Sequence, residues 1–282
     1  MKIHHLNCGT MRPLGTPEGL VCHVLLLETD TGLALVDSGL GLRDVAAPGP
    51  RFGPSRFFVR PLFDENETAI RQIERLGFDP RDVRDIVLTH FDADHSGGLA
   101  DFPWARVHLT ADEAEAAIHP SGFVEKGRYL PTQRDHDPAF VLHTPGDGEP
   151  WRGFTAAKEL TDIAPGLVMI ALPGHSRGHA AYAVDAGNRW ILHAGDAFYH
   201  HGQLDGTTHV PRALTAMERL VAHNMTAVRA NHGRLAELWA APTSDLLLVN
   251  AHDPALLHRA RQSNATDDAE GVAGGPFNDP TA

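Results

Sequence analysis

The chain has 282 residues, of which 42% are hydrophobic and 21% charged, and its formal net charge is −12. That length and balance describe a globular protein with enough apolar residues to bury a core. The acidic balance argues against a nucleic-acid partner, because phosphate binding needs a basic face.

No apolar run approaches the roughly 20 residues of a membrane span, so no membrane partner is expected. The opening MKIHHLNCGTMRP lacks the pattern of a signal peptide. Cys8 and Cys22 are the only cysteines and give no disulfide framework, so a cytoplasmic setting is expected.

In chain order, LVCHVLLLET and LALVDSG read as two strands joined by a turn. Residues 43–66 are rich in Pro, Gly, Arg and Phe and predict a long surface loop. ETAIRQIERLGFD places Ile70, Ile73 and Leu76 on one helical face and stops at Gly77. DIVLTH is a short buried strand, and Thr110 with Glu113 has the spacing of a capping box. Residues 119–158 predict a second irregular stretch. GLVMIALPGH, AAYAVDAG and RWILHAGD are strand candidates, RALTAMERLVAH and MTAVRANHGRLAELW are helical, and SDLLLVNAHDP reads as a last strand ending in a turn. Residues 263–282 have no apolar pattern and are expected to be disordered. The reading is thus one domain over 1–262, with loop lids at about 43–66 and 119–158 and helices packed outside two sheets.

Nineteen histidines are many for this length, and their positions carry the information. LTHFDADHSGG puts His90, Asp92, Asp94 and His95 within six residues at the end of an apolar strand. Imidazole and carboxylate at such spacing are ligands for Zn, Fe or Mn. A solvated turn with a helix-capping Asp would explain a lone HxD, but not four candidates together. His175, Asp196 and His252 each follow directly after another predicted strand, where side chains from separate strands can converge.

The set VDSG, THFDADHSGG, PGHSRGH, HAGDAFY and AHDP resembles the metallo-β-lactamase superfamily, and is most similar to its N-acyl-homoserine lactonase-like branch. The resemblance runs from residue 1 to about 255. It implies an α+β fold, a four-layer αββα sandwich with a metal site at one edge. It also implies two divalent metal ions, with zinc favoured and manganese or iron as alternatives. One would take His90, Asp92 and His175, the other Asp94, His95 and His252, with Asp196 bridging. His252 is preferred to His232 because it ends a strand, whereas His232 falls in a predicted helix. His179 and Asp37 are expected to support the ligands from behind. His193 could pack or support the site, and His4, His5, His200, His201 and His209 are expected on strands or the surface.

Asp92 stands where the usual superfamily motif has histidine. Three aspartates and one hydroxide would balance two divalent cations, which leaves less residual charge to acidify water. The alternative is that Asp92 does not bind and its site is weak or empty. The expected chemistry is attack of a metal-bound hydroxide on a lactone or ester, with Asp94 or Asp196 relaying the proton. Tyr199 matches the place where the lactonase branch holds a substrate carbonyl; a packing role is the alternative. RFGPSRFF offers Phe52, Phe57 and Phe58 either to an apolar small-molecule substrate or to a homodimer contact. Thioester or phosphodiester hydrolysis, iron-dependent oxygen or persulfide chemistry, and non-catalytic metal binding use similar ligands and remain alternatives.

Overall fold

Residues 20–29 form the strand β2 (Leu20–Thr29), and its ten residues are buried or nearly so. In the computed structural model, which describes residues 1–241 and 245–273, that unbroken apolar run has a simple cause. Successive side chains on a strand point to opposite faces. Leu25 and Leu27 enter the core between two sheets, while Val24 and Leu26 enter a second core on the other side. A strand covered on both faces cannot alternate with polar residues.

The first sheet has the order β1–β2–β3–β4–β5–β6, formed by Lys2–Met11, Leu20–Thr29, Gly32–Val36, Val83–Val87, Arg106–Thr110 and Ala139–His143. Its first three strands pair antiparallel, and β3 to β6 run parallel. The second sheet has the order β11–β10–β9–β8–β7, formed by Leu246–Val249, Trp190–His193, Ala180–Asp185, Leu167–Ala171 and Ala157–Glu159. It is antiparallel except for the β10–β11 pair.

The sheets share one core in which Leu25, Val36 and Val87 meet Met169, Tyr182, Ile191 and Leu247. The outer core of the first sheet packs Leu35, Ile86 and Leu109 against Ala69 and Ile73 of the helix Ala69–Arg75 and Ala114 of the helix Ala111–Ile118. Leu235, Leu256 and Ala260, from the helices Met225–Ala240 and Pro254–Ala273, join the core between the sheets. The expected α+β fold with two mixed sheets and outer helices is present.

Several expectations are corrected. Residues 43–66 are not a plain loop; they hold the short helices Leu42–Ala46, Pro48–Phe52 and Arg56–Val59. Pro48 stands at the first helical position, where its missing N–H costs nothing. The stretch 119–158 contains the helix Gly122–Arg128 and β6, and β7 begins at Ala157. Only one of the five residues of β6 is buried, so its edge position erased the apolar signal. The last strand ends in a bend at Ala251–His252 as expected, but the unforeseen helix Pro254–Ala273 follows and runs into the tail expected from residue 263, whose last residues, 274–282, lie outside the described residues. His5 lies on β1, one of the two places expected for it, and is buried there.

His5 leads into a histidine pair between β1 and β2, with its Nδ1 2.9 Å from His23 Nε2. Burial first, then the charges of His193 and Arg261, lower the His5 pKa from 6.5 to about 3. The folded chain therefore keeps this ring neutral while the unfolded chain takes up a proton below pH 6.5. Stability from this source is complete above that value and is lost as pH falls towards the folded pKa. Urea denaturation at pH 7 and pH 5 should show the native chain losing about 2 kcal/mol more than His5→Gln over that interval.

Candidate active site

The predicted site residues come from strand ends on one edge of the sandwich. Asp37 follows β3, Thr89 to His95 follow β4, Asp196 follows β10 and His252 follows β11, while His175 lies in the β8–β9 connection. β3 and β4 are parallel, as are β10 and β11, so their carboxyl ends share an edge. Side chains from separate strands meet at such an edge without bending the strands themselves.

The four histidines His90, His95, His175 and His252 are all buried. Each has its Nδ1 engaged from behind. The Nδ1 of His95 is 2.8 Å from Asp37 Oδ2, and that of His252 is 2.8 Å from the Val21 carbonyl oxygen. The Nδ1 of His90 is 3.0 Å from the Thr89 hydroxyl, which itself donates to Asp37. The Nδ1 of His175 is 3.3 Å from the Tyr199 hydroxyl. Carbonyl and carboxylate partners accept only, so the His95 and His252 Nδ1 atoms carry a proton, and Nε2 is the atom turned towards the carboxylates. Asp37 has φ 61°, a left-handed conformation that aspartate adopts more readily than most side chains. The strain accompanies a carboxylate that ties Thr89 N, Thr89 Oγ1 and His95 together.

The four Nε2 atoms face three carboxylates. Asp92 Oδ2 lies 3.3 Å from His90 Nε2 and 3.1 Å from His175 Nε2. Asp94 Oδ2 lies 3.9 Å from His95 Nε2 and 3.5 Å from His252 Nε2. Asp196 stands between the groups: Oδ2 is 3.8 Å from His90 and 3.6 Å from His175, Oδ1 is 3.3 Å from His95, and both oxygens lie 3.1 Å from His252 Nε2. Burial alone would raise the Asp196 pKa, but the charges of His252, His95 and His175 outweigh it and hold the carboxyl well below its usual range. For Asp92, burial is likewise outweighed, here by Arg128 and His90.

The donor set suits cations. Ligand atoms of His90, Asp92 and His175, and of Asp94, His95 and His252, lie within 4.8 Å of one another in each group. The buried atoms His90 Nε2, Asp92 Oδ1, His95 Nε2 and Asp196 Oδ1 make no hydrogen bond. Buried polar atoms without partners are costly, and a cation coordinated there would satisfy them. The expected competitor His232 is elsewhere, 3.0 Å from Glu218 on a neighbouring helix. A further group, His200, His201 and Asp253, also clusters. Its carboxylate is already committed to His201 and to the N–H of Ala255 at the start of the last helix.

His179 lies directly behind Asp196. It accepts from Asp196 N–H at 3.0 Å, and its Nδ1 is 3.1 Å from the Leu172 carbonyl oxygen. Gly195 has φ +53°, and a Cβ there would stand 2.6 Å from His179 Nε2. Only glycine allows the chain to turn so close to that ring. The glycines of SGG have a similar cause: a Cβ on Gly98 would lie 2.6 Å from the Ser38 carbonyl oxygen. His193 faces away from the cluster, with Nε2 2.8 Å from the His23 carbonyl oxygen.

Tyr199 is buried and forms part of the wall of a cavity of about 480 Å³ that opens onto Asp92, Asp94, His175, Asp196 and His252. Burial, then the nearby Asp196 charge, pushes its hydroxyl well above the usual range, so it keeps its proton. The rest of the wall is mostly apolar and includes Leu20, Leu214, Met217 and all three expected phenylalanines. Phe52 is buried, whereas Phe57 and Phe58 are 67% and 72% exposed at the mouth.

Two functional positions gave no adequate signal in the sequence. Arg128, inside the stretch read as a loop, has its Nε 3.0 Å from Asp92 Oδ1. Glu113, read only as a capping residue, is fully buried beneath the ligand loops. Its Oε1 accepts from Phe91 N–H and the Tyr129 hydroxyl, and its Oε2 from the Ser176 hydroxyl and Gly178 N–H. It thereby fixes the segments carrying His90 and His175 to each other. Glu113→Gln sets an amide NH2 against a backbone N–H whichever way it is turned, Phe91 or Gly178, and should destabilise the fold by about 2–4 kcal/mol in urea denaturation.

The superfamily pattern described as "Metallo-beta-lactamase superfamily" matches residues 17–247. A "Probable metallo-hydrolase" of Mycobacterium tuberculosis is 54% identical over 263 residues, covering 93% of this chain and 84% of that protein. The N-acyl homoserine lactonase AttM of Agrobacterium fabrum is 28% identical over 186 residues, covering 65% of this chain and 66% of that protein. Among solved structures, an N-acyl homoserine lactone hydrolase with N-hexanoyl-L-homoserine bound superposes with a TM-score of 0.66 at 22% identity, covering 93% and 95% of the two chains. Fold, motif order and these likenesses agree, and the chain belongs to the metallo-β-lactamase superfamily.

Proposed function

We propose that this metallo-hydrolase opens a lactone or cleaves an ester whose acyl part is apolar. The observation that carries the reading is the apolar cavity whose wall includes Asp92, Asp94, Asp196 and Tyr199. A purely metal-storing protein has no use for such a cavity. The lactonases among its relatives support the same reaction class.

His90, Asp92 and His175 would hold one divalent cation and Asp94, His95 and His252 another, with Asp196 shared. Such cations, zinc favoured and manganese or iron as alternatives, supply Lewis acidity to a carbonyl and acidify water. The chain's own groups do the rest. Phe52, Leu214 and Met217 take the acyl part and exclude bulk water from the carbonyl. Tyr199, which keeps its proton, donates to the carbonyl oxygen as negative charge develops there. Water adds its oxygen to the carbonyl carbon, and the bond to the leaving alkoxide breaks. Asp94 is less buried than Asp196 and reaches the cavity, so it takes the water proton and returns it to the alkoxide.

Proton release from acyl-homoserine lactones of increasing acyl length, alongside simple γ- and δ-lactones, tests this reading. kcat/KM should rise about threefold per added methylene until the cavity is filled. Tyr199→Phe should lower kcat on the order of 100-fold. Asp196→Asn or metal removal should abolish turnover. A metal-loaded native chain no faster than Asp196→Asn would sink the proposal.

A further inference from the structure

Arg128 ends the helix Gly122–Arg128, and its side chain is only 7% exposed. Its guanidinium has three partners around the site. Nε faces Asp92 Oδ1 at 3.0 Å, Nη1 donates to the His175 carbonyl oxygen at 2.9 Å, and Nη2 donates to the Val221 carbonyl oxygen at 2.8 Å. The division of Asp92 is the telling feature. One oxygen stands 3.0 Å from the arginine as an ion pair without hydrogen-bond alignment, while the other faces His90 Nε2 and His175 Nε2 at 3.3 and 3.1 Å.

We propose that Arg128 is a positioning residue that offsets the charge of Asp92 and restricts it to one ligating oxygen, so that the pair acts as a neutral single-atom ligand, as an imidazole does. The inference rests on the reading that His90, Asp92 and His175 hold a cation. An arginine is charged at any ordinary pH, so it supplies a fixed +1 beside the carboxylate. The charge count made from the sequence changes accordingly. Three carboxylates and a hydroxide balance two divalent cations, and Arg128 leaves the whole cluster with one positive charge. The aspartate therefore need not weaken the site's hold on a developing oxyanion.

A merely structural arginine makes a different prediction. Its bonds to His175 and Val221 would brace the loops whatever stands at position 92. Charge compensation instead requires that Arg128 become harmful once Asp92 is neutral, because its cation then faces the metal without a partner.

The test is the affinity for Zn²⁺ and Mn²⁺, read by chelator competition, with circular dichroism confirming the folded state. Asp92→His should weaken the His90–Asp92–His175 position about 100-fold. The double variant Asp92→His, Arg128→Met should recover to within about tenfold of the native chain. Arg128→Lys, which keeps the charge and gives up the fork, should retain both cations. It decides the matter if the histidine variants do not fold. A double variant as weak as Asp92→His or weaker, or loss of a cation from folded Arg128→Lys, would overturn the assignment while leaving the two-cation reading intact. A native chain whose cation content is unaffected by His90→Ala would remove that reading and this inference with it.

Discussion

Four buried imidazoles present Nε2 to a common centre because each Nδ1 is held from behind. Everything else about the site depends on that constraint. A free imidazole can rotate, flip and exchange tautomers, and it would turn a nitrogen to whichever neighbour was nearest. Here Asp37 fixes His95 directly and orders the Thr89 hydroxyl beside His90. The backbone of β2 fixes His252. The constraint passes into the core through the sheet: Asp37 N–H is bonded to the Val87 carbonyl oxygen, so the end of β3 is registered on the end of β4. Tyr182 of the second sheet donates to Leu88, just before the ligand turn, and couples the two halves of the sandwich. Preorganisation of this kind is what lets a site hold like charges together without collapsing.

The sequence shows where the chain makes ligands and hides what holds them. Strands β2, β10 and β11 could be read because they are mostly apolar and buried, and β4 from its apolar end Ile86–Val87; the chain reaches His90, Asp196 and His252 three residues after β4, β10 and β11. β1 is different, since KIHHLNCGTM carries polar residues at buried positions and keeps no clean alternation. β6 and β7 lie at sheet edges, are short and half-exposed, and have no pattern to find. Of the site, the six-residue cluster His90 to His95 and the isolated His175, Asp196 and His252 lay in strand-end positions that periodicity reveals. The roles of Glu113 and Arg128 lay beyond that method. Glu113 meets Ser176 across 63 residues, and Arg128 meets His175 across 47 and Val221 across 93. No local signal encodes contacts at such separations.

The departure at Asp92 looks from the sequence like a weakened ligand set. In three dimensions it is half of an ion pair, and the other half comes from a segment read as featureless loop. The same segment, with the short helices around Phe52 and Phe57, builds the apolar wall beside the carboxylates. On the proposed reading, substrate preference and metal tuning share one structural origin, the two stretches between sheet strands where the chain departs most from regular periodicity. The strand ends supply the chemistry common to the superfamily, and these stretches adapt it.

The central proposal is that His90, Asp92 and His175 would hold one cation and Asp94, His95 and His252 another, with Asp196 shared. Anomalous diffraction from crystals grown with Zn²⁺ addresses it most directly. The account predicts two peaks flanking the Asp196 carboxylate, one against His90, Asp92 and His175 and one against Asp94, His95 and His252. A single peak, or peaks confined to His200, His201 and Asp253, would contradict it.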